Sequence, residues 1–173
     1  MILFASAERI FLYTAYQHTE KNIMEKFEKN IEIRWSDLDP NFHMLHSKYY
    51  DLGAYCRMAF LTEHGLTPAV MTKHHIGPIL FREECIFKRE IIFGDRISVT
   101  FKLDKLSTDY GRWTMLHEIL KNGDTLAATI TAEGAWMDTR ARKLTIPPQE
   151  VIDLFEKAPR SASFSFFNRA EKK

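Results

Sequence analysis

The sequence predicts an α+β fold in which one antiparallel sheet wraps around one long helix. A helical repeat of apolar residues over about residues 47–64 indicates the helix. Alternating apolar and polar residues indicate the strands that follow it. These strands are expected at about residues 79–92, 97–104, 112–120 and 126–136. No repeated alternation of strand and helix is present, which argues against a parallel α/β sheet.

The first strand is predicted over residues 30–35, before the helix. Ile31, Ile33 and Trp35 alternate with polar residues, which is typical of a half-buried strand. The segment 37–41, Asp-Leu-Asp-Pro-Asn, should end this strand, because proline and asparagine favour turns.

The long helix has one apolar face, a plausible start and a plausible stop. Ser47 is expected to be the N-cap, and Gly65 the residue that follows the C-cap. The apolar face comprises Tyr49, Leu52, Gly53, Cys56 and Phe60.

The last predicted strands carry signals for a hairpin and for a closely packed helix. Asn122-Gly123 is a strong hairpin signal. In the strand after it, one face contains several alanines and Gly134, and small residues allow a helix to lie close to the sheet. A short helix is expected at about 148–158, and the tail 159–173 is expected to be loosely docked or disordered.

Composition limits the classes of function. The 173 residues fit one domain, expected at 28–158 and preceded by an extension of uncertain structure, 1–27. The apolar start of this extension lacks a basic region and is interrupted by Glu8 and Arg9, which argues against an export signal. With 24 basic and 23 acidic residues, the chain is not built to coat nucleic acid or an anionic membrane. Two cysteines without a CxxC pair favour a reducing, cytoplasmic setting.

The densest chemical segment is 34–50, which holds two aspartates and two histidines between the first strand and the helix. A helix N-terminus offers unpaired backbone N–H groups and partial positive charge, which can stabilise an oxyanion. A carboxylate opposite could attack a carbonyl carbon or deprotonate a water. A thiolate leaves readily, because the pKa of a thiol is about 8.5, so thioester cleavage would need no strong acid.

This segment resembles the entry motif of the acyl-CoA thioesterases of the 4-hydroxybenzoyl-CoA type, which have the hot-dog fold. Asp37 and Asp39 match the paired aspartates of that motif, and His43 matches its loop histidine. Tyr49 matches the tyrosine of the first helical turn, and Arg57 the arginine further along the helix.

Two departures from the motif concern the loop and the acyl pocket rather than the carboxylate. Phe42 stands where the loop glycine usually lies, and Leu45-His46 replaces an asparagine pair. The similarity in the order of elements extends from about residue 28 to residue 158.

The resemblance implies hydrolysis of acyl thioesters carried by CoA or by an acyl carrier protein. It makes Asp39 the catalytic carboxylate, as nucleophile or general base, while Asp37 is expected to be structural. His43 is the second catalytic candidate, which shapes the loop or touches the thioester. His46, Ser47 and Tyr49 are the substrate-binding candidates near the helix start. No cofactor or metal is required, and a homodimer or homotetramer with the site at the subunit interface is implied.

The phosphates of CoA should need basic side chains. Arg112 and the cluster of Arg140, Arg142 and Lys143 are the candidates, although such residues are more often ordinary surface charges. Lys88 and Arg89 are interpreted as surface charges late in a strand.

Other interpretations of the same residues remain open. His43 and His46 could form a metal pair, but no third ligand has suitable spacing. A magnesium-dependent phosphotransferase with an Asp-x-Asp pair would need a parallel sheet. Cys56 lacks a base that would make it a nucleophile. An enoyl-CoA hydratase-like enzyme or a non-catalytic acyl-CoA-binding module would fit the same fold.

Overall fold

A computed structural model describes residues 23–168, and the first 22 and last five residues, with most of the predicted extension, lie outside the described part. One sheet of eight strands and three α-helices account for most of it. In chain order these are β1 (Glu28–Ile31), a 3₁₀ turn (Trp35–Asp37), α1 (His46–Glu63), α2 (Pro68–Lys73), β2 (Ile76–Phe87), β3 (Ile97–Thr100), β4 (Lys102–Ser107), β5 (Arg112–Lys121), β6 (Thr125–Asp138), β7 (Lys143–Leu144), α3 (Gln149–Lys157) and β8 (Arg160–Phe167).

The sheet is built around the antiparallel hairpin of β5 and β6. On the far side of β5, β3 and β4 pair with its two halves, and β1 and β8 flank β3 and β4 respectively. On the other side, β2 pairs along β6 and, within the described residues, with no other strand. The predicted α+β class and the hot-dog arrangement of sheet and long helix are confirmed.

The long helix packs on the small-residue face that the sequence predicted. Ala128, Ile130 and Ala132 of β6 are fully buried. A Cβ atom at Gly53 of α1 would lie only 3.1 Å from Cδ1 of Ile130, so the helix approaches the sheet as closely as glycine allows. The Asn122-Gly123 turn has positive φ at both residues, 55° and 110°, as the hairpin prediction requires.

The first strand is shorter than predicted, and its last predicted inward residue is exposed. β1 ends at Ile31, and Trp35 is 67% exposed instead of facing the core. The reason is local: Asp37 Oδ2 accepts a hydrogen bond from the Arg34 backbone N–H at 2.9 Å, which closes a 3₁₀ turn and directs the indole outward.

The tail differs from the prediction as well, because residues 160–167 form β8. This strand runs parallel to β4, and Asp104 Oδ1 accepts hydrogen bonds from the hydroxyls of Ser161 and Ser163, each at 2.6 Å. The alternation of small and phenylalanine residues in the tail was itself a strand pattern. At the other end, Phe27 packs edge-to-face on Phe60 of α1, so the packed unit begins before residue 28.

A buried polar group links α1 to two strands of the sheet. Arg57 Nη1 of α1 donates to Glu83 Oε1 of β2 at 2.7 Å and lies 3.3 Å from Nε2 of His117 on β5. Nδ1 of His117 lies 2.9 Å from the Thr100 carbonyl oxygen. Burial, and secondarily the Arg57 charge, lower the pKa of His117 to about 3, so the imidazole is neutral. No helix among the described residues is long and apolar enough to cross a membrane.

The neutral His117 makes stability depend on pH in a defined direction. Between about pH 3 and pH 6.5 the unfolded chain binds a proton at this residue and the folded chain does not. The free energy of unfolding should therefore fall as the pH falls through this range, by about 1.4 kcal/mol per pH unit from this group. In His117→Gln, the free energy of unfolding, measured by chemical denaturation at each pH, should depend less steeply on pH between pH 4.5 and 6. The difference in slope should correspond to one proton. Parallel curves for the two proteins would contradict this assignment.

Candidate active site

Asp39 closes the loop that joins the 3₁₀ turn to α1. Its Oδ1 accepts hydrogen bonds from the backbone N–H groups of Asn41 at 2.8 Å and His43 at 3.0 Å. The backbone also bridges the loop, since Asp39 N–H donates to the His43 carbonyl oxygen at 2.8 Å. Among the described residues Oδ2 accepts no hydrogen bond, so one carboxylate oxygen is structural and the other is available for chemistry.

Phe42 has a backbone conformation that glycine adopts more readily than other residues. Its φ is +64°, in the left-handed region, which costs a residue other than glycine about 1 kcal/mol or more. The hydrogen bonds of Asp39 across the loop hold the chain in this turn. The Phe42 ring is exposed and lies against that of Trp35, with 5.8 Å between centroids, and Trp35 in turn contacts Phe93.

The start of α1 carries no side-chain cap. The N-cap is Leu45, and the predicted cap Ser47 is the second residue of the helix, because the N-cap lies two residues earlier than expected. The backbone N–H groups of His46 and Ser47 donate to no residue in the described range. An uncapped N-terminus leaves these donors and the positive end of the helix dipole free for an anion or oxyanion.

Asp39 and the helix start border one cavity of about 450 Å³. His43, His46 and Tyr49 also line it, so the structure brings these sequence candidates together. Nε2 of His43 lies 3.6 Å from Oε2 of Glu90 on the opposite wall.

Tyr49 and Phe87 form an apolar part of this wall. Tyr49 is buried, and its ring packs edge-to-face against that of Phe87 with 4.9 Å between centroids. Burial raises the pKa of the Tyr49 phenol, which favours its neutral form.

Two cations that the sequence analysis treated as surface charges line the same cavity. Lys88 and Arg89 follow the last residue of β2, and both backbone N–H groups donate to the Ala127 carbonyl oxygen. Their position directly after a strand, opposite the loop histidine, could not be recognised from local sequence. Both residues therefore bring positive charge to the cavity wall.

The other basic candidates lie elsewhere in this chain. The guanidinium of Arg112 stacks 5.5 Å from the ring of Phe81 on β2. Arg140 and Arg142 lie in the turn between β6 and β7, and Lys143 is the first residue of β7. Both positions belong to the Ile76 end of β2, roughly 20 Å or more along the strand from Phe87.

Several neighbouring groups are structural. Asp37 holds the 3₁₀ turn, as expected, and Arg57 forms the buried ion pair with Glu83. Cys56 is buried, and burial raises the pKa of its thiol to about 12, which removes it as a nucleophile at neutral pH. Within residues 23–168, no three His, Cys, Asp or Glu side chains gather into a metal-binding group.

Comparison with protein families identifies the chain. The model of the thioesterase-like superfamily matches residues 33–155, which is more than half of the sequence. The chain belongs to this superfamily. The matched region contains the loop, the long helix and strands β2 to β7, in agreement with the resemblance noted in the sequence and with the expected enzyme class, the thioester hydrolases.

Solved structures share the fold at low sequence identity. A Staphylococcus aureus protein in complex with CoA aligns over 81% of this chain and 90% of its own, with a TM-score of 0.71 and 19% identity. A 1,4-dihydroxy-2-naphthoyl-CoA thioesterase from Synechocystis aligns over 75% and 95%, with a TM-score of 0.67 and 15% identity. A DHNA-CoA thioesterase from Staphylococcus aureus aligns over 78% and 89%, with a TM-score of 0.67 and 21% identity. A search of curated proteins finds no match.

The two hydrogen bonds to Asp39 Oδ1 predict different effects for two substitutions. Asp39→Ala removes the one oxygen that accepts both hydrogen bonds and should lower the free energy of unfolding by about 1 kcal/mol, as for loss of a helix cap. Asp39→Asn keeps a side-chain oxygen for the same N–H groups and should cost clearly less. Chemical denaturation of the three proteins checks this, and an equal loss for both variants would show that the loop does not depend on these hydrogen bonds.

Proposed function

We propose that this protein hydrolyses acyl-CoA thioesters, with Asp39 as the catalytic carboxylate. The observation that supports this most strongly is that Asp39 and an uncapped helix N-terminus border one cavity. Membership of the thioesterase-like superfamily agrees with this chemistry. Two of the similar structures are named as CoA thioesterases, and a third was solved with CoA, which favours CoA over a carrier protein.

In the proposed reaction the thioester carbonyl oxygen points at the N–H groups of His46 and Ser47. Negative charge that develops on this oxygen is stabilised by those donors and by the helix dipole. Asp39 Oδ2 either takes a proton from a water that attacks the carbonyl carbon, or attacks that carbon itself. The second route gives a mixed anhydride, and water then hydrolyses this anhydride and frees Asp39. The C–S bond breaks, the thiolate leaves with the electron pair and is then protonated, and the water oxygen ends in the free acid.

The proposal assigns supporting roles to the other cavity residues. The hydrogen bonds on Asp39 Oδ1 fix the orientation of the carboxylate and direct its second oxygen away from the loop. His43 holds the loop through its backbone and faces Glu90, next to the thioester. Tyr49 shapes the wall beside the thioester, and Lys88 and Arg89 attract the anionic CoA moiety.

A homodimer formed through β2 would add the remaining basic candidates to the site. Within the described residues β2 is paired on one side only, and Leu80, Phe81, Ile86 and Phe87 are each about half exposed along it. Such an edge is usually covered. Antiparallel pairing of two copies places the Ile76 end of one β2 beside the Phe87 end of the other. Arg112, Arg140, Arg142 and Lys143 of one copy would then lie near the cavity of the other, within reach of CoA phosphates.

The test of activity is free-thiol release from short, medium, long and aromatic acyl-CoAs. The wild type should turn over at least one of them, and Asp39→Asn should lose at least about 100-fold in kcat/KM, because the neutral amide can neither attack nor accept a proton. Asp124→Asn, an identical change in the exposed hairpin between β5 and β6, is the matched control and should retain the wild-type rate.

Two outcomes would contradict this assignment. Absence of thiol release by the wild type from every thioester would rule out CoA ester hydrolysis. Equal rates for the wild type and Asp39→Asn would show that another group is catalytic, while the assignment of the fold would stand.

The dimer makes a separate prediction. Ile86→Lys places a charge on the exposed edge of β2 and should convert the protein to monomers in light scattering, with a loss of thioesterase activity. Ile146→Lys changes a comparably exposed isoleucine away from β2 and should stay dimeric. A dimer that survives Ile86→Lys would show that the copies associate through another surface.

A further inference from the structure

We propose that the ion pair between Asp95 and Lys121 positions the catalytic loop, the chain between the 3₁₀ turn and α1. The pair holds this loop through the backbone of residues 90–92, which are the wall segment. Neither side chain lines the catalytic cavity, so both act at a distance from the substrate. This inference rests on the proposed thioesterase function and adds two positioning residues to it.

The wall segment, residues 90–92, supports the catalytic loop directly. The Met44 backbone N–H donates to the Ile91 carbonyl oxygen at 2.8 Å. His43 forms an antiparallel bridge with Ile92. The position of the loop just before α1 therefore depends on the position of the wall segment.

Side chains hold the wall segment, because it belongs to no strand. Residues 88–96 lie between β2 and β3 and are part of neither. Lys121 Nζ donates to the Glu90 carbonyl oxygen at 2.6 Å. Asp95 Oδ2 accepts a hydrogen bond from the Ile92 backbone N–H at 3.0 Å. Both ends of the wall segment are thus held by a charged side chain.

The two charged side chains also hold each other. Lys121 Nζ lies 3.3 Å from Asp95 Oδ2, and the two side chains are only 18% and 9% exposed. Asn122 Nδ2 donates to Asp95 Oδ1 at 2.6 Å, so both carboxylate oxygens have a partner. Hydrogen bonds with an ionised partner are roughly twice as strong as neutral ones. The wall segment is therefore tied firmly to the hairpin of β5 and β6.

Loss of the ion pair should reach the catalytic carboxylate through the backbone. Without the Lys121 ammonium, the Glu90 carbonyl loses a donor and the Asp95 carboxylate loses its counter-charge at a largely buried position. A shift of the wall segment moves His43, and the Asp39 N–H donates to the His43 carbonyl oxygen at 2.8 Å. A displacement of about 1 Å at a reacting group can lower a rate by about 100-fold. The pair therefore contributes to kcat without contacting the substrate.

The test removes the ammonium and keeps the length of the side chain. With the acyl-CoA that the wild type hydrolyses fastest, Lys121→Met should lower kcat about tenfold and leave KM within about twofold, because the carboxylate moves and the bound substrate keeps its contacts. Lys121→Arg keeps the positive charge and should hold kcat within about threefold of the wild type. Lys102→Met is the matched control, since it breaks the 2.7 Å ion pair with Glu118 on the same sheet, outside the cavity, and should retain the wild-type kcat.

Hydrogen exchange gives a second readout that does not depend on turnover. The backbone amides of residues 38–46 should exchange faster in Lys121→Met than in the wild type and should be unchanged in Lys102→Met. Each of these variants loses one ion pair, so a general loss of stability would affect both alike. If Lys121→Met does not fold, Asp95→Asn decides the matter with the same expected results, because it removes the charge and keeps an oxygen for the Ile92 N–H.

The outcomes separate this inference from the proposed function. A wild-type kcat in Lys121→Met, unchanged exchange in residues 38–46, or an equal loss of kcat in Lys102→Met would overturn the positioning role and leave the thioesterase activity standing. Absence of thiol release from every acyl-CoA would overturn the proposed function, and the exchange measurement would still decide whether the ion pair holds the loop.

Discussion

The close packing of one helix on the sheet is the constraint on which the site depends. Gly53 allows α1 to approach Ile130 of β6, and Phe60 stacks on Phe101 at 4.0 Å between centroids further along the helix. These contacts fix the axis of α1 and therefore the position of its first turn. The chain reaches that turn from the end of β1 through residues 32–45, and Asp39 closes the second half of this connection with its own side chain. A residue that builds the loop thus also brings a carboxylate to the helix N-terminus.

The ionisable groups of the proposed site come from segments that are distant in sequence. They gather where the loop, the helix start and the end of β2 meet. The buried Arg57–Glu83 pair and neutral His117 hold α1 to β2 and β5. The same helix thus carries the start that borders the cavity and the buried polar contacts that fix it to the sheet.

Sequence reasoning located what is encoded locally and missed what depends on the approach of distant strands. The helix, its glycine stop, the hairpin and the loop aspartate follow from short-range patterns, and the structure contains all of them. Trp35 fits the alternating pattern of a strand, yet its side chain is exposed. A hydrogen bond from the Arg34 backbone N–H to the Asp37 side chain turns it outward, and a periodic pattern of apolar residues does not reveal such a bond. Lys88 and Arg89 are more than 40 residues away in sequence from the loop that they face across the cavity.

The most direct test of the account is a crystal structure of the Asp39→Asn protein with an uncleaved acyl-CoA. The account predicts the thioester carbonyl oxygen at hydrogen-bond distance, about 2.7–3.2 Å, from the backbone N–H of His46 or Ser47. The carbonyl carbon should face the substituted side chain at position 39. A thioester bound away from the start of α1, or with its carbonyl oxygen directed at other donors, would contradict the assignment of this loop and helix end as the catalytic site.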